Sequence, residues 1–231
     1  MSWKTAYRSL YYADMPEPDD LVLPRAQTAL LVIDVQNTYL ERPERDSLDA
    51  AGRAAYDLWT PFHERMHRVV IPNTAATMAA FRGAGVEVMF ARIACQTMDG
   101  RDRSLSQKKP GFNNLLLPRD ERASQIVPAL APRGDEIVVT KTTDSALTGT
   151  SLRLMLHNVG IRHVVVAGIF TDQCVSSTVR SLADESFDVV VLEDCCAAAT
   201  DELHRKELEI INNIYCHVMS AAELREMMGI G

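Results

Sequence analysis

Three residues with complementary chemistry each follow an apolar stretch of the chain. Asp34 comes after L-L-V-I, Lys141 after I-V-V-T, and Cys174 just beyond V-V-V-A-G. A thiol becomes a strong nucleophile when it is deprotonated, a nearby carboxylate can accept its proton, and an ammonium group favours the resulting anion. Taken alone, each residue is more simply explained as a loop residue, a helix cap or a packed thiol. The three together, at three predicted strand ends, indicate a nucleophilic cysteine site.

Cys174 is predicted to lie in the first turn of a helix. The β-branched run before it is typical of a buried strand, and Val175, Val179 and Leu182 follow at helical spacings. Unpaired N–H groups and the positive end of the helix dipole favour a thiolate there. We therefore expect this setting to lower the pKa of the Cys174 thiol.

The elements that must position these residues alternate along the chain. Continuous runs of Val, Ile and Leu are typical of strands covered on both faces, and helical patterns separate them. This alternation predicts an α/β fold with three αβα layers around a mainly parallel six-stranded sheet, whose ligands bind beyond the carboxyl ends of the strands. The predicted strands are 28–35, 86–91, 136–140, 163–168, 188–193 and 215–219, and the predicted helices are 74–84, 151–159, 174–185, 201–214 and 221–228.

The composition and net charge of the chain argue against several classes of protein and partner. The chain has 231 residues, 47% of them hydrophobic, and a formal net charge of -7. Its acidity argues against nucleic-acid or anionic-membrane partners. No apolar run is long enough to span a membrane and no signal-type segment is present, so we expect a cytoplasmic protein. Five scattered cysteines favour reduced thiols over a disulfide framework.

Two kinds of irregular segment accompany the predicted domain, which covers 26–231. Residues 1–25 are rich in aromatics and proline, and we interpret them as an arm over the domain or over a neighbouring subunit in an oligomer. The segments 37–73 and 95–118 shape the pocket, and their conformations do not follow from the sequence. The second is predicted to be a long functional loop, and its charged run 103–109 is expected to be solvated or to attract an anionic substrate or partner.

The blocks A-L-L-V-I-D-V-Q-N, V-V-T-K-T-T-D-S-A-L and V-V-A-G-I-F-T-D-Q-C-V-S-S-T-V-R resemble, in order and spacing, those of the isochorismatase-like cysteine hydrolases. That group contains nicotinamidases, N-carbamoylsarcosine amidohydrolases, ureidoacrylate amidohydrolases and biuret hydrolases. The resemblance covers about residues 25 to 220. It implies a three-layer, Rossmann-type sheet and a catalytic triad of Asp34, Lys141 and Cys174.

The same resemblance implies the rest of the machinery. The backbone N–H groups of Phe170 and Cys174 would bind the oxyanion, beside a cis peptide bond between Ile169 and Phe170. The reaction implied is hydrolysis of a C–N bond in a small amide, carbamoyl or ureido compound through a thioester, with no cofactor. Family members also form homo-oligomers, which implies a dimer or a tetramer.

Departures from individual subfamilies refine this hypothesis. The segment A-R-I-A-C-Q-T-M-D-G-R-D lacks the histidine of the nicotinamidase metal site, which argues against zinc-dependent nicotinamide hydrolysis. True isochorismatases often lack the cysteine, so a C–N hydrolase is favoured over a vinyl-ether hydrolase. The V-Q-N-T-Y segment and Arg92 look most like the linear-amide and ureido group. Asn37, Tyr39 and Arg92 are therefore candidate substrate contacts, although a structural role explains each equally well.

A rival motif is H-E-R-M-H, from His63 to His67, which fits the pattern of zinc hydrolases with two histidines one helical turn apart. Glu87 could supply a third ligand. The motif lacks the downstream histidine extension, and Pro72 is expected to end any helix soon after it. On the alternative interpretation His63 and His67 line the rim of the active site, with Trp59 and Phe62 packed toward the pocket. A binding protein without activity is the remaining possibility.

Overall fold

A computed structural model describes residues 1–110 and 116–231. Its sheet has six strands in the order β3-β2-β1-β4-β5-β6, and every neighbouring pair is parallel. The predicted α/β architecture is therefore confirmed. The strands are β1 (Thr28–Ile33), β2 (Glu87–Ile93), β3 (Val138–Lys141), β4 (His163–Ile169), β5 (Asp188–Ala197) and β6 (His217–Met219).

Helices cover both faces of this sheet. They are α1 (Asn37–Leu40), α2 (Ala50–Arg65), α3 (Ile71–Gly83), α4 (Leu152–Asn158), α5 (Ser176–Asp184), α6 (Asp201–Ile211) and α7 (Ala221–Met228). Alternate residues of β1 belong to two separate cores. Leu30 and Val32 pack with residues of α2, α3 and α7, whereas Leu31 and Ile33 pack with residues of α4, α5 and α6. Burial on both faces explains why the strands are continuously apolar.

The strand order changes direction between β1 and β4, and parallel sheets bind their ligands at such a point. Gly168 lets these two strands come close together. Its φ is +125°, and a Cβ atom there would lie 2.0 Å from the carbonyl oxygen of Ile33. Because no side chain fits this gap, glycine is required where β4 passes the end of β1.

The segment 37–73 is more regular than its sequence indicates. Between α2 and α3 lies a π-helical turn, Met66–Val70, so helical backbone continues from Ala50 to Gly83. The expectation that Pro72 ends a helix is wrong. Pro72 instead lies in the first turn of α3, where a missing N–H costs little.

The arm, residues 1–25, folds back on its own domain. Trp3 is buried, and its backbone N–H donates to Glu223 Oε1 at 3.1 Å. The side-chain amide of Asn212 donates to the carbonyl oxygens of Ala6 and Tyr7. Within the described ranges, no helix combines the length and apolar character needed to cross a membrane. Of the predicted loop 95–118, residues 111–115 lie outside the described residues.

Candidate active site

The structure brings Asp34, Lys141 and Cys174 together at the carboxyl ends of β1, β3 and β4. Lys141 Nζ lies 2.7 Å from Asp34 Oδ2 and donates to Cys174 Sγ at 3.2 Å. A third contact, from Nζ to the carbonyl oxygen of Thr143 at 3.1 Å, holds the ammonium between them. All three side chains are buried. The lysine is thus in direct contact with both a carboxylate and a thiol.

Asp34 is held in an unusual backbone conformation. Its φ is +53°, in the left-handed region that few residues other than glycine adopt. Its N–H donates to the carbonyl oxygen of Ala91 at 2.9 Å, and its own carbonyl oxygen accepts from the Gln36 N–H at 2.8 Å. Such strained residues cluster at functional sites, where the surrounding structure must enforce them.

Gln36 supplies part of that enforcement. Its fully buried side chain donates to the carbonyl oxygens of Ile93 and Ser124, both at 2.9 Å, and accepts from the Ile93 N–H at 3.0 Å. These bonds join the end of β1 to the end of β2. Gln36 was not predicted to have a role, although a glutamine directly beyond a buried strand is itself a signal for such a clamp.

Electrostatics in this buried cluster favour a carboxylate that accepts protons readily. Burial raises the pKa of Asp34, although the charge of Lys141 and the contact with Cys174 act in the opposite direction. For Lys141, burial disfavours the ammonium, but the charges of Asp34 and Cys174 outweigh it and the pKa is raised. Lys141 therefore stays charged while Asp34 becomes a stronger base than a solvent-exposed carboxylate.

The expected lowering of the Cys174 pKa is not what the structure supports. Burial, and then the negative charge of Asp34, raise the pKa of this thiol well above its usual value, while Lys141 acts to lower it. Cys174 is 7% exposed as a residue, so little water is available to stabilise a thiolate. The resting site therefore holds a neutral thiol beside a carboxylate and an ammonium group.

Cys174 lies on a π-helical turn, Thr171–Val175, that leads directly into α5. The preceding Ile169–Phe170 peptide bond is cis, as the family resemblance implies. The carbonyl oxygen of Phe170 accepts from the N–H groups of Gln173 and Val175 at 3.0 and 3.2 Å. The turn is therefore closed by its own backbone.

A buried histidine, His204, contacts this turn. The Thr171 hydroxyl lies 2.7 Å from His204 Nδ1, and Arg65 Nη2 lies 2.9 Å from His204 Nε2. Burial and the charge of Arg65 lower the pKa of His204 to about 3. The imidazole is therefore a neutral connector between α2, α6 and the Cys174 turn.

A cavity of about 450 Å³ opens over the Cys174 thiol. One wall is aromatic and consists of Tyr39, Trp59, Phe62 and Phe170, with the Phe170 ring 5.5 Å from Tyr39 and 5.2 Å from Phe62 between centroids. The prediction that Trp59 and Phe62 face the pocket is confirmed. A depression of about 490 Å³ beside β5 and β6 is slightly larger, but Asp34 and Cys174 do not line it.

The polar side of the cavity contains three residues that were not among the candidate site residues. Arg103, Gln107 and Asp144 line it in a connected row. Arg103 Nη2 donates to Gln107 Oε1 at 3.4 Å, Gln107 Nε2 donates to Asp144 Oδ1 at 2.9 Å, and the same Asp144 oxygen lies 3.7 Å from Cys174 Sγ. The expectation of a wholly solvated run at 103–109 is wrong for Arg103 and Gln107, which are buried.

The three candidate substrate contacts lie in different places. Tyr39 lines the cavity. Asn37 is buried and does not line the cavity, and its side-chain amide donates to the carbonyl oxygen of Arg122 at 2.9 Å. Arg92 is not a cavity-lining residue, and it contacts Gln125 Oε1 at 2.5 Å and Thr140 Oγ1 at 3.3 Å. Only Tyr39 therefore faces the space above Cys174.

The two histidines of the rival motif have different surroundings. His63 lines the cavity, whereas His67 is exposed, and their ring centroids are 6.5 Å apart. Burial, Arg42 and His67 lower the pKa of His63 to about 4. Glu87 begins β2, at the opposite end of the strand from the cavity. In the part of the chain that the structure describes, no three His, Cys, Asp or Glu side chains are grouped to hold a metal ion.

The fold and the site define a three-layer α/β protein with a buried carboxylate, ammonium and thiol cluster at its topological switch point. Residues 28–223 match the Isochorismatase domain family model, and the chain belongs to that family. It is 31% identical over 202 residues to the ureidoacrylate amidohydrolase RutB of Pantoea ananatis, an alignment that covers 82% of this chain and 76% of the relative.

Solved structures show the same fold. A cysteine hydrolase from Pseudomonas syringae pv. phaseolicola aligns with a TM-score of 0.75 at 22% identity, covering 93% of this chain and 99% of that chain. An N-carbamoylsarcosine amidase from Thermoplasma acidophilum aligns with a TM-score of 0.62 at 20% identity, covering 84% and 96%. At these identities the likeness concerns the fold alone.

Proposed function

We propose that this protein is a cysteine-dependent hydrolase that cleaves a C–N bond of a small amide, carbamoyl or ureido compound. The observation that carries the proposal is the contact of one buried ammonium, that of Lys141, with both Asp34 and Cys174. The similarity to a ureidoacrylate amidohydrolase supports the choice of a C–N bond. The cavity has a volume suited to a small molecule.

The reaction follows from the charges of the site. Asp34 accepts the proton of the Cys174 thiol, and Lys141 stabilises the thiolate. The sulfur attacks the carbonyl carbon, and the backbone N–H groups of Phe170 and Cys174 bind the oxyanion. When the C–N bond breaks, the proton on Asp34 passes to the leaving nitrogen. Water then hydrolyses the thioester, with Asp34 as its base, and the thiol is restored; no cofactor is required.

Substrate contacts belong to the same proposal. Tyr39 lies against the substrate through its place in the aromatic wall. Asn37 and Arg92 do not touch the substrate and act through their neighbours. Asn37 anchors the chain before Tyr39, and Arg92 contacts Gln125 outside the cavity.

A screen for ammonia release over biuret, ureidoacrylate, N-carbamoyl amino acids, nicotinamide and short primary amides tests the proposal. Cys174→Ala should abolish turnover of any substrate found, whereas Cys216→Ala, at a buried cysteine that does not line the cavity, should not. Full turnover by Cys174→Ala would overturn the cysteine mechanism. Activity lost to a chelator but not to a thiol alkylator would instead indicate the zinc alternative with His63 and His67.

We further propose a cytoplasmic homo-oligomer, a dimer or a tetramer. Support for the location comes from the five free cysteines, since reducing compartments keep thiols unpaired. Support for assembly comes from the arm, where Leu10 and Tyr11 are 89% and 83% exposed. A monomer in light scattering would contradict the assembly, and a disulfide in the protein isolated under non-reducing conditions would contradict the location.

A further inference from the structure

A second carboxylate, that of Asp144, lies against the nucleophile. Its Oδ1 atom is 3.7 Å from Cys174 Sγ, and it lines the same cavity. After burial and the charge of Asp34, the charge of Asp144 also raises the pKa of the Cys174 thiol. Asp144 therefore opposes the thiolate that the reaction needs, and its position beside the sulfur requires another reason.

The orientation of Asp144 is fixed by an uncharged neighbour, Gln107. Gln107 Nε2 donates to its Oδ1 atom at 2.9 Å, and the other end of the Gln107 amide is held by Arg103. Both Gln107 and Arg103 are buried, so this row is part of the cavity wall. An amide fixes the direction of a carboxylate without neutralising its charge, which leaves Asp144 able to accept further hydrogen bonds.

We propose that Asp144 accepts hydrogen bonds from the N–H groups on the scissile nitrogen of the substrate and so selects amide and ureido compounds over esters. This inference rests on the proposed function and deepens it. Asp34 delivers the proton to the leaving nitrogen, and Asp144 only accepts hydrogen bonds. As that nitrogen gains positive charge, its attraction to the carboxylate increases, so the contact is strongest where the C–N bond breaks.

An ester gains nothing from this contact. Its leaving oxygen has no hydrogen to donate, and its lone pairs face the negative carboxylate. The charge that opposes the thiolate therefore becomes useful only when a nitrogen-bearing substrate is bound. Discrimination of this kind, by a buried polar group left unpaired in the wrong complex, can be large.

A pair of alkylating probes tests the inference without any need for turnover. Iodoacetamide and methyl iodoacetate both form a bond from Cys174 Sγ to carbon with loss of iodide, but only the amide has N–H groups. The rate of Cys174 modification is measured for both by peptide mass spectrometry in the wild type, in Asp144→Asn and in Asp184→Asn. Asp184 is an exposed carboxylate at the end of α5 and is the matched control.

The amide-to-ester rate ratio should fall about tenfold in Asp144→Asn, as expected for the loss of one charge-assisted hydrogen bond, and should be unchanged in Asp184→Asn. A change in thiolate population cancels in this ratio, because both probes react with the same sulfur. An unchanged ratio in Asp144→Asn would overturn the inference, whatever the fate of the proposed hydrolysis. The hydrolase proposal is tested by a different result, because full turnover by Cys174→Ala would overturn it.

Turnover gives a second measurement. For the best amide from the screen and the methyl ester of the same acid, Asp144→Asn should lower kcat/KM for the amide about tenfold and leave that for the ester equal or higher. Equal losses on both would overturn the inference, since Asp144 would then act through the fold or the base. If Asp144→Asn does not fold by circular dichroism, Asp144→Ser replaces it in both assays.

Discussion

Lys141 Nζ and Asp34 Oδ2 form an ion pair of 2.7 Å in which the side chains are 0% and 2% exposed. A buried pair of this kind repays the cost of removing two charges from water only while both partners are present. The same pair places a positive charge at the thiol of Cys174. Stability and reactivity of the site are therefore coupled through one lysine.

We expect Lys141→Met to destabilise the protein by about 3–5 kcal/mol, because it leaves the Asp34 carboxylate buried and unpaired. Urea denaturation measures the loss. The matched control is Arg153→Met, which breaks the exposed pair with Glu185 and should cost about 0–1 kcal/mol. The double variant Asp34→Asn/Lys141→Met should be more stable than Lys141→Met alone; a double variant that is less stable would contradict this account.

Alkylation of Cys174 should report the charges around the thiol. Because Lys141 lowers the pKa of this thiol, Lys141→Met should slow modification by iodoacetamide at pH 7. In the wild type the rate should rise with pH to a midpoint above that of an ordinary thiol. Rates per cysteine come from peptide mass spectrometry between pH 6 and 10. Modification of Lys141→Met as fast as that of the wild type would contradict this account.

The sequence predicts those parts of the fold that follow from local patterns of residues. It does not predict those that depend on contacts between residues far apart in the chain. Strands such as β4 were predictable because a strand buried on both faces must be apolar throughout. The strand order placed Asp34 and Cys174 together as expected. The continuous helical backbone through Pro61 and Pro72 was not predictable, since the π-helical turn that accommodates the second proline depends on packing rather than on local pattern.

For a related reason, the sequence did not predict the polar side of the cavity, which consists of Arg103, Gln107 and Asp144. Arg103 and Gln107 stand in a charged, irregular segment, and nothing local to the sequence shows that they are buried. Asp144 was within a block that carried the family resemblance, but its contact with Cys174 joins positions 30 residues apart. Such residues are recognised only after the strand ends have been brought together.

His204 should make stability depend on pH in the acid range. Its pKa is lowered to about 3 in the folded protein, so between pH 6.5 and 3 the unfolded state binds a proton that the folded state does not. Stability should therefore fall with decreasing pH, by up to about 1.4 kcal/mol per pH unit from this residue. His204→Gln should have a shallower slope in urea denaturation from pH 7 to 4, whereas His157→Gln, at an exposed histidine, should keep the wild-type slope. Equal slopes in all three proteins would contradict this role.

Among the glycines that the structure describes, Gly168 should be the least replaceable. A Cβ atom at this position would lie 2.0 Å from the Ile33 carbonyl oxygen, and its φ of +125° is unfavourable for any other residue. Gly168→Ala must therefore push β4 away from β1, separating the strands that position Cys174 and Asp34.

Gly134→Ala is the matched control. Gly134 also has a positive φ, +56°, but nothing lies within 4 Å of the methyl group that alanine would add. The substitution should therefore cost only about 1–2 kcal/mol. Thermal unfolding followed by circular dichroism compares the two, and a Gly168→Ala protein as stable as Gly134→Ala would show that the strands can separate without loss.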